Sequence, residues 1–351
     1  MKKYLNIKII ILITVIGIIL FFFWNRSPSI EWENEISWET LNEAIDIKQT
    51  DDGGYIILGT SVVGLTLVKV DAIGNTVWVK TILERSQKAG KVIELSNDGG
   101  YIIGGYSYSF IGQGHFSERK LNENFWVSKL DKEANVIWSK EYDDGANREE
   151  IVAIECTEDG NYVLAGHKEH YRPDSINSSD YWISKLDNEG TLIWSKVLGG
   201  SDKDTPMMMR KTEKVSYVIE GRTYSKDGDV PEKNTGNLPY SIWSIEVNDT
   251  GEIINSQRKS AFHVGRKTTL TDDGEYLIAG QKWVGDAING SVDLFLEKRD
   301  INFNLKWSKT ITAPGKDESI TIHQTNDGGY IILATQYYEN QTRQKLIKLG
   351  Y

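Results

Sequence analysis

The chain reads Asp98-Gly99-Gly100-Tyr101-Ile102-Ile103, then Trp126-Val127-Ser128-Lys129-Leu130-Asp131, and then Trp138-Ser139-Lys140. Related stretches occur six times at similar intervals, and each is marked by one tyrosine: Tyr55, Tyr101, Tyr162, Tyr217, Tyr276 and Tyr330. A repeat of this length that contains only strand and turn signals predicts a circular or stacked array of small sheets.

Each repeat divides into four predicted strands, a to d. A half-polar strand a, such as residues 318–324, precedes an Asp-Gly turn, and an apolar strand b, such as residues 101–105, follows that turn. Asp-Gly favours a tight hairpin because glycine adopts a positive φ without steric cost. Strand c, such as residues 181–187, leads through a short turn to strand d, such as residues 192–196. Four antiparallel strands repeated radially form the blades of a β-propeller.

The two ends of the chain complement each other. Trp32 precedes Tyr55 by the same interval that separates the strand-d tryptophan Trp78 from Tyr101, but no strands a to c precede Trp32. The last repeat stops at Tyr351 before any strand d. We therefore predict an all-β, six-bladed propeller of four-stranded antiparallel blades over residues 30–351. The N-terminal strand closes the ring and removes an exposed sheet edge.

The fourth repeat departs from the pattern. Residues 214–216 replace the Asp-Gly turn, Glu246 replaces a repeated lysine, and Asn255 replaces the strand-d tryptophan. We expect the tryptophans of strand d to pack between neighbouring blades, so packing should be weaker after the fourth repeat. The repeated lysines, such as Lys129 and Lys185, are expected to be solvated and to form weak local ion pairs.

The combination of D-G-G-Y-I, here residues 98–102, with W-x-K-x-x-G-G, here residues 194–200, resembles the repeats of bacterial β-propeller proteins. The D-x-x-G-x-x-x-W of residues 187–194 also resembles the tryptophan-docking motif of quinoprotein propellers. The resemblance covers almost all of residues 30–351 and implies a propeller fold. It implies little about function, because such proteins are mostly surface or secreted proteins of unassigned role. Quinoprotein enzymes have eight blades and a cofactor-side cysteine pair, whereas this chain has six repeats and a single cysteine, so no cofactor is expected.

The N-terminal segment, residues 1–29, reads as a membrane anchor or a signal segment. Three lysines precede an apolar run over residues 9–24. Sixteen helical residues span about 24 Å, which is slightly short for a bilayer and slightly long for a signal-peptide core. No A-x-A site follows, although residues 27–29 are a weak substitute. We predict an uncleaved single-pass anchor in the cell membrane with the propeller on the extracytoplasmic side. Cleavage, which would give a secreted protein, stays open.

Charge and cysteine content exclude several functions. The N-terminal segment holds four of the 40 basic side chains and none of the 50 acidic ones, so the remaining chain has a formal charge of −14. An acidic body without a basic stripe argues against nucleic-acid binding, which requires clustered lysine and arginine. The single cysteine, Cys156, permits neither an intramolecular disulfide nor a cysteine-based zinc site.

The b–c connections are predicted to be long and to share one face of the disc, over residues 106–124, 167–180, 222–240, 281–292 and 335–343. Long loops on a rigid ring commonly carry binding sites, and tyrosine and tryptophan are enriched at interfaces. The aromatic residues on this face either contact a partner or pack the loops against the ring. The predicted ligand-binding positions are Tyr108, Phe110, Tyr171, Trp283 and Tyr337.

Two groups of side chains are weak candidates for metal ligands, and neither predicts a metal. His115, His167 and His170 could offer imidazole nitrogens from adjacent blades, but their spacing matches no known signature. Asp227 and Asp229 could offer oxygens to Ca²⁺, although a plain turn explains the same residues.

The position seven residues before each marker tyrosine is polar in all six repeats. Innermost strands line the channel of a propeller, so this position predicts a polar channel lining. One interpretation is a hydrated lining whose charges pair with each other, and the other is an active site with Glu94 and Glu155 as a carboxylate pair. The six residues are Lys48, Glu94, Glu155, Arg210, Thr269 and His323.

The preferred functional interpretation is a membrane-anchored extracytoplasmic scaffold that binds a protein or a glycan without catalysis. The alternative is an extracytoplasmic hydrolase of an envelope or extracellular polymer with its site at the channel mouth. Two or more acid–base groups that converge in a concave pocket would favour the hydrolase.

Overall fold

The computed structural model describes residues 27–37, 40–84, 86–111, 120–142, 148–170, 178–232, 240–260, 267–284, 291–312, 316–338 and 341–350. Within these ranges the regular elements are 24 β-strands in six four-stranded antiparallel blades. A single parallel bridge between Val292 and Lys316 joins the last two blades into one sheet. The predicted six-bladed all-β propeller is confirmed, while the predicted N-terminal helix lies outside the described residues.

The blades follow one another along the chain. Blade 1 contains β2 (Glu43–Gln49), β3 (Tyr55–Thr60), β4 (Gly64–Val70) and β5 (Thr76–Glu84). Blade 2 contains β6 (Lys88–Leu95), β7 (Tyr101–Ile111), β8 (Lys120–Leu130) and β9 (Val136–Tyr142). Blade 3 contains β10 (Arg148–Cys156), β11 (Tyr162–His170), β12 (Ser178–Leu186) and β13 (Leu192–Leu198). Blade 4 contains β14 (Asp204–Lys211), β15 (Tyr217–Thr223), β16 (Ser241–Val247) and β17 (Ile253–Ser260). Blade 5 contains β18 (Lys267–Leu270), β19 (Tyr276–Val284), β20 (Ser291–Arg299) and β21 (Leu305–Ile311). Blade 6 contains β22 (Lys316–Gln324), β23 (Tyr330–Tyr338), β24 (Gln341–Gly350) and, from the other end of the chain, β1 (Ser29–Ile36).

The N-terminal strand closes the ring. β1 pairs antiparallel with β24 from Ser29 opposite Gly350 to Ile36 opposite Gln344. Glutamates on β1 face basic residues on β24, and the three ion pairs are Glu31–Lys348 at 3.5 Å, Glu33–Lys345 at 2.5 Å and Glu35–Arg343 at 3.6 Å. Blade 6 is therefore assembled from both chain ends, and its two outer strands carry opposite charge.

Neighbouring blades are held together by an apolar core and by the strand-d tryptophans. Trp138 on blade 2 donates its indole N–H to the carbonyl of Asn188 on blade 3 at 3.0 Å. Its ring covers Gly190, which has φ +76°, and a Cβ there would lie 2.8 Å from the ring. Trp194 repeats the arrangement on blade 4, where its N–H donates to the carbonyl of Asp249 at 3.1 Å. Tryptophan on one blade and glycine on the next therefore form one docking unit.

The repeated lysines are buried, contrary to the expectation that they are solvated. Lys129 is 4% exposed and donates to Asp98 at 2.9 Å and to the carbonyl of Leu130 at 2.9 Å. Lys185 is also buried and reaches Asp249 on blade 4 at 2.6 Å. A buried ammonium needs several oxygen partners. Lys129 therefore fastens the Asp-Gly turn of its own blade to strand c, and Lys185 ties strand c of blade 3 to the c–d turn of blade 4.

The first strand of each blade lies innermost, since these strands contact one another around the ring. Four of them contain a register shift ten residues before the marker tyrosine, at Ile45, Lys91, Val152 and Met207. A bulge bends the strand and increases its twist. The predicted channel position follows three residues later in each of these blades.

Candidate functional site in the central channel

The six predicted channel residues line one cavity of about 630 Å³ at the centre of the ring. Each lies on the innermost strand of a different blade, so the repeat brings together residues that are far apart in sequence. The cavity is also lined by Asp46 and Lys267, which lie outside the predicted channel positions. Its lining is therefore strongly charged, with both signs present.

Lys48 and Glu94 form an ion pair in the channel. The ammonium of Lys48 lies 2.5 Å from a carboxylate oxygen of Glu94 on the next blade. Burial lowers the pKa of Lys48, but Glu94 and Asp46 outweigh that effect and hold the pKa above its ordinary value. Lys48 is therefore a permanent cation, and it neutralises one member of the predicted carboxylate pair.

Asp46 and His323 form the second pair and join blades 1 and 6. The Nε2 atom of His323 lies 2.8 Å from Asp46, whose other oxygen accepts from the N–H of Ile93 at 3.1 Å. Burial raises the pKa of Asp46, but His323 and nearby lysines outweigh it, so the pKa is well below the usual range. Burial lowers the pKa of His323, and Lys48 adds to that effect. At neutral pH a neutral His323 therefore donates its Nε2 proton to an ionised Asp46.

Glu155 behaves differently from the other acids of the channel. Burial raises its pKa from the ordinary 4.5 to about 7, and the charge of Glu94 acts in the same direction. Lys48 and the backbone N–H of Lys211 oppose the shift. A carboxyl group with a pKa near 7 can both donate and accept a proton at physiological pH, as general acid–base catalysis requires.

Cys156, next to Glu155, is not suited to nucleophilic chemistry. Burial raises the pKa of its thiol to about 12, and nearby carboxylates add to the effect. The thiol lies 2.9 Å from the carbonyl of Leu95. Because the thiolate is the reactive form, Cys156 stays protonated and serves packing between blades 2 and 3.

The predicted b–c loops are shorter than expected, because strands b and c continue into them. Tyr108 and Phe110 lie on β7, Trp283 lies on β19 and Tyr337 lies on β23. Tyr108 is half-buried and its ring centre lies 6.5 Å from that of Tyr106. The side chains of Phe110, Trp283 and Tyr337, and all of Tyr171, lie outside the described residues, so a ligand surface there stays a prediction.

Within the described ranges, no group of three or more metal-binding side chains could hold an ion. His115 and the side chain of His170 lie outside those ranges. Burial lowers the pKa of His167. Asp227 accepts from the N–H of Ser201 at 2.7 Å, and Asp229 accepts from the N–H of Gly199 at 3.1 Å. The two aspartates thus fasten a loop to the residues after strand d.

A second cavity, of about 650 Å³, lies between blades 4 and 5. Its position coincides with the departures of the fourth repeat, including Glu246 and Asn255. These departures predict weaker packing at this junction, but they do not by themselves predict a cavity. The second sequence feature that indicates the cavity lies on the facing turn. Phe303 stands there in the position of the docking glycine and has a φ of +70°. Arg210 lines both cavities.

The architecture defines a closed six-bladed β-propeller with a charged channel. No protein-family model matches the chain, and no curated protein matches it significantly in sequence.

Two solved structures are similar in fold. A protein of unknown function from Dyadobacter fermentans matches with a TM-score of 0.62 and 10% identity, over 92% of this chain and 99% of that one. A gluconolactonase from Xanthomonas campestris matches with a TM-score of 0.50 and 10% identity, over 93% and 95% of the two chains. Similarity at this level of identity shows the fold alone.

Among the described residues there is no helix with the length and apolarity needed to cross a membrane. The predicted anchor over residues 9–24 lies outside them.

Proposed function

We propose that the protein is a membrane-anchored, extracytoplasmic propeller that binds a protein or a glycan without transforming it. The observation that carries this proposal is the Lys48–Glu94 ion pair at 2.5 Å. A hydrolytic carboxylate pair needs both acids available to water and substrate. Here one of the two is already neutralised by a cation, which suits a structural lining.

The proposed partner surface is the face that carries the b–c connections. Strand ends on a closed ring give a rigid support, and aromatic side chains on such a support lose little conformational entropy when they bind. Tyr108, Trp283 and Tyr337 lie on strand ends of three different blades. This spacing suits a partner that covers several blades.

The test uses the full chain in detergent micelles, immobilised through a tag after Tyr351. It is incubated with purified cell-envelope polysaccharide and, separately, with solubilised envelope proteins. We expect saturable retention of one of these, and mass spectrometry should find the eluted material unchanged. Retention of neither, or recovery of shortened chains, would contradict the proposal.

A hydrolase acting on an envelope or extracellular polymer is the second candidate, and the raised pKa of Glu155 favours it. Its test is release of soluble fragments from the same polysaccharide. Loss of general acid–base catalysis typically lowers a rate by roughly 10²–10⁴-fold, so the Glu155→Gln variant should lose nearly all activity. The wild-type rate should also change near pH 7. Fragment release that Glu155→Gln leaves intact would exclude this channel as its source.

A further inference from the structure

Exposed apolar side chains recur at the end of the blades that carries the short a–b and c–d turns. Strand d begins at this end, and in every blade its first or second residue is an aliphatic side chain that is between 39% and 61% exposed. One exposed aliphatic residue is ordinary on a protein surface, but a copy in each blade gives an apolar belt. The six residues are Ile30, Val77, Val136, Leu192, Ile253 and Leu305.

The tips of the c–d turns add to this belt on one side of the ring only. In blades 2, 3 and 4 the two central turn residues are polar or charged, whereas blade 1 has Ala72-Ile73 and blade 5 has Ile301-Asn302. Ile73 is 60% exposed, and Ile301, which also lines the cavity between blades 4 and 5, is 55% exposed. The polar pairs are Lys132-Glu133, Asn188-Glu189 and Asp249-Thr250. Blades 1 and 5 flank blade 6, so the apolar turns lie on both sides of the blade that contains β1.

The carboxylates of these two turns are held within the turns themselves. Asp71 accepts from the N–H of Ile73 at 3.0 Å and from the N–H of Asn75 at 2.8 Å. Asp300 accepts from the N–H and from the side-chain amide of Asn304, both at 2.8 Å. Because turn donors already satisfy part of each carboxylate, less water must be removed from the acid when the isoleucine beside it leaves water.

The chain enters the propeller at this edge. β1 is the outer strand of blade 6 and begins at Ser29, at the end of the blades that carries the short turns. The ring of Trp32 on β1 covers Gly74 of blade 1, where a Cβ would lie 2.7 Å from the ring. β1 therefore lies directly against the turn that carries Ile73.

A membrane anchor would bring this edge of the disc close to a bilayer. Four residues separate the predicted anchor over residues 9–24 from Ser29. The chain from residue 24 to residue 29 spans at most about 17 Å when it is extended. Contact between the edge and the bilayer would then be intramolecular, so a small apolar area is sufficient for it. Since the propeller is acidic, zwitterionic head groups suit this contact better than anionic ones.

We propose that the short-turn edge of blades 5, 6 and 1 rests on the surface of a zwitterionic bilayer and inserts Ile73 and Ile301 among the lipid head groups. This inference rests on the membrane anchor of the proposed function. The polar turn tips of blades 2, 3 and 4 stay in water, so the disc is tilted. The b–c surface faces away from the membrane, where a partner can reach it.

The experiment places the full chain in phosphatidylcholine nanodiscs and measures how close a labelled turn lies to the lipid. A fluorophore on Ala72→Cys reports on blade 1, and Asn188→Cys, at the same turn position of blade 3, is the matched control. The unsubstituted chain, treated in the same way, gives the background from Cys156. Spin-labelled phosphatidylcholine should quench the label at position 72 and leave the label at position 188 unquenched.

A substitution beside the label tests whether the isoleucine makes the contact. Ile73→Asn, combined with Ala72→Cys, should lower the ratio of quenched to unquenched molecules by about tenfold, because burial of one isoleucine changes an equilibrium by at least that factor. Ile193→Asn on blade 3, where the side chain is 51% exposed, should leave the ratio unchanged.

Three outcomes would contradict the inference, and they separate it from the anchor. Equal quenching of the two labels in a chain that the nanodiscs retain would overturn the edge contact and leave the anchor standing. A label at position 72 that is shielded from water but not quenched by the lipid would assign the edge to a second copy of the chain. A chain that the nanodiscs do not retain would contradict the anchor itself and, with it, the edge contact.

Discussion

Replacing Glu155 with glutamine should make the stability of the propeller less dependent on pH. The pKa of Glu155 rises from 4.5 in the unfolded chain to about 7 in the folded one, chiefly because of burial. The folded state therefore binds more protons than the unfolded state between these values. Stability from this group is fully present below pH 4.5 and is lost as the pH rises to 7.

The magnitude follows from the difference between the two pKa values. Each pKa unit corresponds to about 1.4 kcal/mol, so the change from 4.5 to about 7 corresponds to about 3 kcal/mol. Glu155 is only partly buried, and solvent screening reduces the expected effect to about 2 kcal/mol. Glutamine has nearly the same shape and can still accept from the N–H of Lys211, but it has no charge to desolvate.

The assay compares denaturant unfolding of wild type and Glu155→Gln at pH 4 and pH 8. The free energy of unfolding of the variant, relative to wild type, should rise by about 2 kcal/mol between the two pH values. Glu94→Gln is the matched control, and it should destabilise the protein at pH 8 because it leaves Lys48 without its 2.5 Å partner. An equal difference between wild type and Glu155→Gln at both pH values would refute the assignment of a raised pKa.

Three further predictions concern the ring, the anchor and the partner surface. Deleting residues 30–37 should cause aggregation or loss of cooperative unfolding, because β1 supplies the outer strand of blade 6; a truncated chain that melts as sharply and as hot as wild type would contradict this. The intact mass of the native protein should correspond to an uncleaved N-terminus, and a mature start near Ile30 would show that the segment is a signal peptide. Trp283→Ala and Tyr171→Ala should each weaken partner capture by about 2 kcal/mol, roughly thirtyfold. Asn188→Ala, on a c–d turn, should not weaken it. The reverse result would place the partner on the opposite face.

The repeat made the architecture predictable because its signals are local. An Asp-Gly turn, an apolar run and a tryptophan at fixed spacing each specify a few residues of structure, and six copies leave few arrangements. Counting seven residues back from each marker tyrosine also located the channel positions, including Lys48 and His323. The count works because one register holds on all six innermost strands.

Other features depend on contacts between blades, which the spacing does not reveal. Asp46 lies two residues before Lys48, between Ile45 and Ile47, and it is the buried acceptor for His323 from the far end of the chain. The cavity between blades 4 and 5 can be predicted only if Asn255 and Phe303, which lie in two different repeats, are considered together. Each residue alone resembles ordinary sequence variation between repeats. The buried state of Lys129 could not be read from its sequence, since a lysine on a strand is usually solvated.

The opposite charges on β1 and β24 have a consequence during synthesis. β1 is made first, and its partner is made last; at 5–20 residues per second the wait is roughly 15 to 60 s. An unpaired strand is a template for wrong pairing, and two nascent chains side by side would each offer one. Glu31, Glu33 and Glu35 repel a second copy of β1 and attract the basic strand of their own chain. The glutamate row thus disfavours pairing between the β1 strands of two chains while the ring is still open.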